Sequence, residues 1–344
     1  QDYYEVFKKD EIMKRVHSLP YDFSFLHSGQ SLQERKELFL EERLANAVRL
    51  LNISPDKVRF MNHHFCHAAY AYFASPYRDD TLVITADGEG DGANASICVG
   101  AGNVLEEVFK TSKHDLARIY RWITLLLGMK PNEHEYKVMG LAPYAKDYIK
   151  QEPYELFKST LVVDGIDLKY QVKPQDLFFW FRERLESCRF DGIADGLQQF
   201  AEDIMCEWVS NIVEKYNIRR IVISGGVSLN IKANKAISEL DCVDTIFIPP
   251  GGGDTSLGVG AAYALAAQCE DRDEIKPFRD AYLGPYFSDL EIEKAIEETN
   301  VGQRYVIEFG VDASQVAKYI SEGKVVARFC GRMEFGARAL GNRS

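Results

Sequence analysis

Three of the chain's seven histidines fall within residues 63–67, in the stretch Asn62-His63-His64-Phe65-Cys66-His67-Ala68-Ala69-Tyr70. The stretch is apolar and alanine-rich and predicts a helix from about His63 to Ala74. His63 and His67 are four residues apart, which on a helix puts both imidazoles on one face, one turn apart. Two stacked imidazoles can hold one metal ion when carboxylates from elsewhere complete the shell. The competing reading is an unrelated pair on a core helix. Cys66 is three residues after His63 and one before His67, so it points elsewhere and is expected in the core.

Carboxylates sit at glycine-rich turns. Asp87-Gly88-Glu89-Gly90-Asp91-Gly92 follows the β-branched run Thr81–Ala86, a predicted buried strand, and precedes a second strand over Ala95–Val99. Asp87 is therefore expected at the end of one hairpin arm. The segment is not an EF-hand: with Asp87 at position one, the twelfth position is Cys98, where a bidentate Glu is required. It is either a plain turn or a phosphate-facing one, with backbone amides near an anion and an acidic group holding a cation.

Ser224-Gly225-Gly226-Val227-Ser228-Leu229-Asn230 ends the predicted strand Ile221–Ser224 and opens a helix reaching about Ile237. Amides at such a place suit a phosphate or a nucleotide edge. The spacing is neither a Walker A loop nor a Rossmann fingerprint. In Gly251-Gly252-Gly253-Asp254, three consecutive glycines rarely serve packing alone, and Asp254 is either a helix N-cap or a metal ligand. Lys137, within Glu135-Tyr136-Lys137-Val138-Met139-Gly140-Leu141-Ala142-Pro143-Tyr144, reads on physics alone as a surface lysine. Residues Gly331–Arg343 hold three arginines and three glycines, either a solvated basic loop or a phosphate clamp.

The elements that must position these groups follow an α/β order. A helical period over 31–52 carries Leu38, Leu40, Leu44, Val48 and Leu51. Pro76 and Asp79-Asp80 mark a turn; 120–128 and 195–216 read as helices. Ile246–Ile248 precedes Pro249-Pro250, and Leu257–Ala267 is a helix of small residues. Pro277–Pro285 reads as a linker, followed by helix 289–298, a strand, helix 313–321 and a buried strand Val325–Phe329. No internal repeat or low-complexity segment is present.

A length of 344 residues allows about two domains, and 46% hydrophobic with 27% charged residues describes an ordinary globular protein. The net charge of -11, with no basic run, disfavours a nucleic-acid partner. No apolar run reaches about 18 residues, so no membrane span is expected, and no signal-peptide pattern opens the chain. Seven scattered cysteines without a C-x-x-C pair read as reduced core thiols of a cytoplasmic protein. The chain starts at Gln1 rather than Met and stops at Ser344, directly after the Gly- and Arg-rich motif, so a fragment is expected.

Taken together and in this order, the motifs resemble the O-carbamoyltransferase family of nodulation-factor, cephamycin and tobramycin carbamoyltransferases, over nearly the whole chain. The carrying residues are His63–Ala68, Asp87–Asp91, Glu135–Tyr144, Ser224-Gly225-Gly226 with Asn230, Gly251–Asp254 and Glu334–Ser344. The resemblance implies a two-lobe α/β domain of the actin/Hsp70/sugar-kinase fold, related to the tRNA threonylcarbamoyltransferase, followed by a YrdC-like α/β domain. Residues 1–276 would be the first, lacking its opening strands, and 277–344 the linker and the truncated start of the second.

The implied activity joins carbamoyl phosphate and ATP into carbamoyl adenylate, then passes the carbamoyl group to a hydroxyl of a small molecule or sugar. Fe(2+) or a similar divalent transition metal is implied beside ATP, with Mg(2+) as a further cation. His63, His67, Asp87 and Asp254 correspond to metal ligands, and His63, His67, Asp87 and Lys137 to catalytic residues. Gly88, Gly90, Gly225, Gly226, Asn230, Gly252 and Gly253 correspond to the nucleotide pocket. Arg338, Asn342 and Arg343 correspond to the part handling carbamoyl phosphate and ATP. The chain departs from the family at Ala337, where Pro is usual, and Ala145, where Gly is usual. Two rivals remain: an enzyme of the same fold acting on tRNA, against which the charge argues, and a non-catalytic nucleotide-binding module, against which the imidazole pair argues.

Overall fold

The computed structural model describes residues 29–268 and 275–343, so Ser344 of the last motif lies outside the described residues. The chain divides into two compact units. One draws on the described parts of 1–62, 118–157 and 173–198; the other on 63–117, 158–172 and the described parts of 199–344.

The first unit is helical. Its helix Leu32–Leu51 opens on a reciprocal capping box, in which Ser31 Oγ accepts from the Glu34 amide and Glu34 Oε2 accepts from the Ser31 amide. Helix Glu135–Leu141 carries Lys137, which is exposed, with its Nζ 5.8 Å from the Tyr136 ring centroid. Elsewhere in this unit, the rings of Phe157 and Phe181 pack with centroids 5.1 Å apart.

The second unit is built on a five-stranded mixed sheet. Its strands are β1 (Thr81–Gly90), β2 (Ala93–Ala101) and β3 (Val104–Thr111), then, after the separate hairpin of β4 (Leu161–Asp164) and β5 (Asp167–Tyr170), β6 (Arg220–Ser224) and β7 (Thr245–Phe247). The order is β3-β2-β1-β6-β7, with β1–β3 an antiparallel meander and β6 and β7 added in parallel beside β1. The fold class is thus α/β, as expected. Leu82, Val83 and Ile84 of β1 and Ile221, Val222 and Ile223 of β6 are all buried. Central strands covered on both faces need such continuous apolar runs rather than alternation.

Helix His63–Ala74 is buried almost all round, which explains why its sequence is apolar on every face. It lies on β2 closely enough that a Cβ at Gly100 would stand 2.5 Å from the Tyr72 ring. Helix Leu257–Ala266 lies along it at Gly260, where a Cβ would come 2.0 Å from the Cys66 carbonyl oxygen. Only glycine permits that approach. Cys66 is a core residue, as expected, and burial pushes its thiol up to about 11.

Several sequence expectations are corrected. β1 does not end before Asp87 but continues to Gly90, with its register to β2 shifting between Ala86 and Gly90; the turn itself is at Asp91 and Gly92. β3 was not expected, because its exposed, charged sequence gives little apolar signal. Helix 120–128 is observed as Leu116–Leu126, and helix 195–216 begins at Phe190. Asn230 is not the start of a continuous helix: a 3-10 turn spans Gly226–Leu229, and Asn230 caps the helix Ile231–Ser238. The strands expected between 299 and 313 and over Val325–Phe329 are absent among the described residues. Val325 is 100% exposed, and the second segment makes only an isolated bridge, Phe329 to Arg343. A β-branched run without a neighbouring strand has nothing to satisfy its backbone, so local propensity does not decide.

Candidate metal centre

The first turn of the His63–Ala74 helix presents both imidazoles to the same spot, with His63 Nε2 and His67 Nε2 3.2 Å apart. The helix start is held by Asp91, whose Oδ2 accepts from the His63 amide at 2.7 Å. A carboxylate there satisfies an otherwise orphan donor and favours the helix dipole. The His63 ring lies over β1 at Gly90, where a Cβ would stand 2.1 Å from His63 Cγ. Gly90, expected among nucleotide-binding glycines, thus makes room for an imidazole.

Two carboxylates close on the pair. Asp87 leaves the strand ladder at the register shift, and its Oδ2 stands 3.0 Å from His63 Nε2 and 3.8 Å from His67 Nε2. Such irregularities re-aim side chains next to sites. Asp254, in the 3-10 turn that leads into the Leu257–Ala266 helix, places Oδ1 3.6 Å from His63 Nε2 and 3.4 Å from His67 Nε2. The N-cap position of that helix is Ser256, not Asp254, and no side-chain hydrogen bond caps it. The four donor atoms all lie within 4.8 Å of one another.

Donors around one cation at about 2.0–2.2 Å stand roughly 2.8–3.6 Å apart in tetrahedral or octahedral arrangements. Four of the five observed separations fall in that range and the fifth, 3.8 Å, lies just beyond it. Two nitrogens and two carboxylates suit a divalent transition metal. The residues present therefore fit the metal that the motifs implied.

The electrostatics agree. Burial alone would raise the Asp87 carboxyl, but hydrogen bonds from His63 and His67 and the Gly226 amide outweigh it and hold it far below the usual carboxylate range. Burial likewise disfavours charge on His67, yet Asp254 and Asp87 outweigh it and raise its imidazole. His67 Nδ1 has no hydrogen-bond partner among the described residues, so nothing on that side commits the ring to one tautomer.

His64, unassigned by sequence reasoning, is buried and faces away from the pair's donors. Its Nε2–H donates to the Ala93 carbonyl at 3.0 Å, and its Nδ1 accepts from the Thr85 hydroxyl at 2.8 Å. Burial lowers it to about 4, so it is a neutral tie between helix and sheet.

The glycine turns meet beside this centre. Gly226 N–H donates to Asp87 Oδ1 at 2.8 Å, leaving Oδ2 to the imidazoles. Gly225 N–H and Ser224 Oγ both donate to the Gly252 carbonyl, and Gly253 immediately precedes Asp254. Gly88 borders open space, and its carbonyl accepts from Asn94. Asn230 Oδ1 accepts from the Ala233 amide as an N-cap. In the Gly- and Arg-rich loop, Arg343 Nε is 2.6 Å from Glu334 Oε2, Asn342 donates to the Glu334 and Arg332 oxygens, and Arg338 Nη2 donates to the Leu229 carbonyl.

Glu334 is the hub of that loop: its Oε1 accepts the amides of Leu340, Asn342 and Arg343. Burial would raise its carboxyl, but the Arg343 guanidinium and those amides outweigh it and hold it at about 2. Its stabilising contribution is complete above the unfolded carboxyl pKa of about 4.3 and is lost as pH falls towards 2. Glu334→Gln should lower the midpoint of thermal unfolding by an amount constant from pH 6 to 8. The gap to wild type should narrow below pH 5; a gap independent of pH would contradict the assignment.

Residues 22–263 match the family described as carbamoyltransferase N-terminus, and residues 317–344 match carbamoyltransferase C-terminus. The chain belongs to the carbamoyltransferase family. A Synechocystis relative, sll1178, is 33% identical over 339 residues, covering 91% of this carbamoyltransferase chain and 54% of the relative. Nodulation protein NolO of Bradyrhizobium diazoefficiens is 30% identical over 292 residues, covering 83% and 52%. Among solved structures, T. kodakarensis HypF aligns with a TM-score of 0.44 at 15% identity, covering 64% of this chain and 38% of its own. The carbamoyltransferase chain spans about half the length of the curated relatives it matches. No described helix is long and apolar enough to cross a membrane.

Proposed function

We propose that this chain is the transfer part of an ATP-using O-carbamoyltransferase that moves a carbamoyl group from carbamoyl phosphate, through carbamoyl adenylate, to a hydroxyl of a small molecule or sugar. The observation that carries the reading is the convergence of His63, His67, Asp87 and Asp254 beside the glycine turns in a carbamoyltransferase. A division near residue 277, with adenylate formation in a YrdC-like C-terminal part and transfer in the N-terminal part, accompanies it. A cytoplasmic setting fits the scattered cysteines.

In the transfer step the acceptor hydroxyl oxygen bonds to the carbamoyl carbon and releases its proton to solvent, the bond from that carbon to the phosphate oxygen breaks, and AMP leaves with the electron pair. His63, His67, Asp87 and Asp254 would hold a divalent cation, which would supply Lewis-acid stabilisation of the developing negative charge. The chain's own groups prepare this. Asp87 is strongly ionised and held at both oxygens, so it orients and neutralises rather than removing the acceptor proton. Its tie to Gly226 fixes the distance between the ligand cluster and the turn that faces the nucleotide. His64, bonded at both nitrogens, sets the rotation of the helix that bears the imidazoles.

The test uses the full-length protein with carbamoyl phosphate, ATP and a panel of sugars and other polyols. AMP release that requires the acceptor, with an O-carbamoylated product by mass spectrometry, is the expected result. Nucleotide binding without AMP release or bound metal would instead identify a non-catalytic module. A strict requirement for tRNA would identify the tRNA-modifying rival.

A further inference from the structure

Asp87 and Asp254 reach the imidazole pair in different ways. Asp87 is buried on β1, and the Gly226 amide holds its second oxygen. The Asp254 side chain is 69% exposed, and among the described residues its carboxylate meets only His63 and His67. Its place therefore depends on the backbone of the turn Gly251–Asp254, and three consecutive glycines give that turn little stiffness of its own.

The turn is fastened from two sides. On the sheet side, the Gly252 carbonyl accepts from the Gly225 amide at 2.8 Å and from Ser224 Oγ at 3.0 Å. On the helix side, Tyr70 Oη donates to the carbonyl of Pro250, the residue just before the glycines. Tyr70 lies three residues after His67, so its side chain leaves the helix on the face that carries the imidazoles. It is fully buried. Its ring meets that of Phe278 edge to face with centroids 5.6 Å apart, and the Phe278 amide donates to the Ala74 carbonyl at 3.1 Å. Burial pushes the phenol well above its usual range, so the hydroxyl keeps its proton and stays a donor. Phenylalanine would fill the same space; what the hydroxyl adds is the tie to Pro250.

We propose that Tyr70 is a positioning residue for the metal centre: its bond to Pro250 sets the distance from the imidazole pair to Asp254 and so completes the donor set on its exposed side. The inference rests on the reading of His63, His67, Asp87 and Asp254 as a metal centre. Tyr70 touches neither metal nor substrate; it acts through Asp254.

The probe is Co(2+), titrated into the metal-free full-length protein, because the visible absorption of the bound ion reports the number and geometry of its donors. Tyr70→Phe should weaken Co(2+) binding by about 10- to 100-fold, the usual effect of losing a group that orients a ligand. It should also shift the absorption bands towards those of Asp254→Ala. In the Asp254→Ala background the same change should weaken binding by less than about twofold, because the group it acts through is gone. Ser75→Ala is the matched control: it removes a buried hydroxyl-to-carbonyl bond, from Ser75 Oγ to Tyr72 at 2.7 Å, at the far end of the same helix. It should lower the unfolding midpoint about as much as Tyr70→Phe and leave Co(2+) affinity and bands as in wild type. Unchanged Co(2+) binding by Tyr70→Phe, an equal loss in both backgrounds, or an equal loss in Ser75→Ala would each overturn the positioning role. Wild type that takes up no Co(2+) would overturn the centre and the role of Tyr70 with it. Acceptor-dependent AMP release by wild type, measured alongside, shows whether the carbamoyltransferase reading stands in either case.

Discussion

Replacing His67 should empty the centre of metal and stop carbamoyl transfer while adenylate formation continues. His67 Nε2 is within 3.2–3.8 Å of all three other donors, and its side chain is fully buried, so its loss removes a donor that nothing from solvent-exposed chain can replace. Loss of a group that only supports a ligand reduces metal affinity by about 10- to 100-fold, so loss of a ligand should reduce it by at least that much. Removing electrostatic stabilisation of this kind slows the chemical step by about 100- to 1,000-fold. Because His67 is fully buried, His67→Ala also leaves a cavity. His67→Gln fills most of that space without an imidazole. Both variants should lose metal by elemental analysis and lose transfer, and only His67→Ala should show a markedly lower unfolding midpoint. If His67→Gln keeps stoichiometric metal and normal transfer, the four-residue centre is wrong.

Gly260→Val should break the same centre without touching a ligand. A Cβ at Gly260 meets the Cys66 carbonyl oxygen at 2.0 Å and its carbonyl carbon at 2.7 Å. These are backbone atoms of a buried helix and cannot swing aside, so the two helices must separate. Overpacking of a tight contact costs about 1–3 kcal/mol, and here the contact is backbone. The helix that moves begins just after Asp254, while the helix it moves from carries His63 and His67. Metal affinity should therefore fall together with the unfolding midpoint. Gly258→Ala is the control on the same helix: nothing lies within 4 Å of a Cβ there, and alanine is the better helix former by up to about 1 kcal/mol. Matching midpoints and metal contents for Gly260→Val and Gly258→Ala would show that the close approach is not required.

The helix and its imidazole pair were legible in the sequence because a spacing of four is a local property of helical geometry. Asp254 and Asp87 were legible as candidates for a similar reason: an acidic residue beside a glycine run is a local signal. The alternatives at each, N-cap or ligand, hairpin turn or ligand, were not resolvable locally. What brings both carboxylates to the imidazoles is a register shift in β1 and helix Leu257–Ala266 lying on helix His63–Ala74, contacts between residues far apart along the chain. The packing of Gly90 against His63 and of Gly260 against Cys66 was not readable, since a glycine chosen for what lies opposite is identical in sequence to one chosen for a turn. The strand expected at Val325–Phe329 failed on the same ground, for apolar β-branched residues make a strand only where a neighbouring strand is supplied. Arg338 and Arg343 show the limit most plainly. They share a residue type and a motif, and the sequence determined that both would be charged. Only the tertiary structure decided that Glu334 would neutralise one and leave the other, shielded and half-satisfied, on the turn beside the His/Asp cluster.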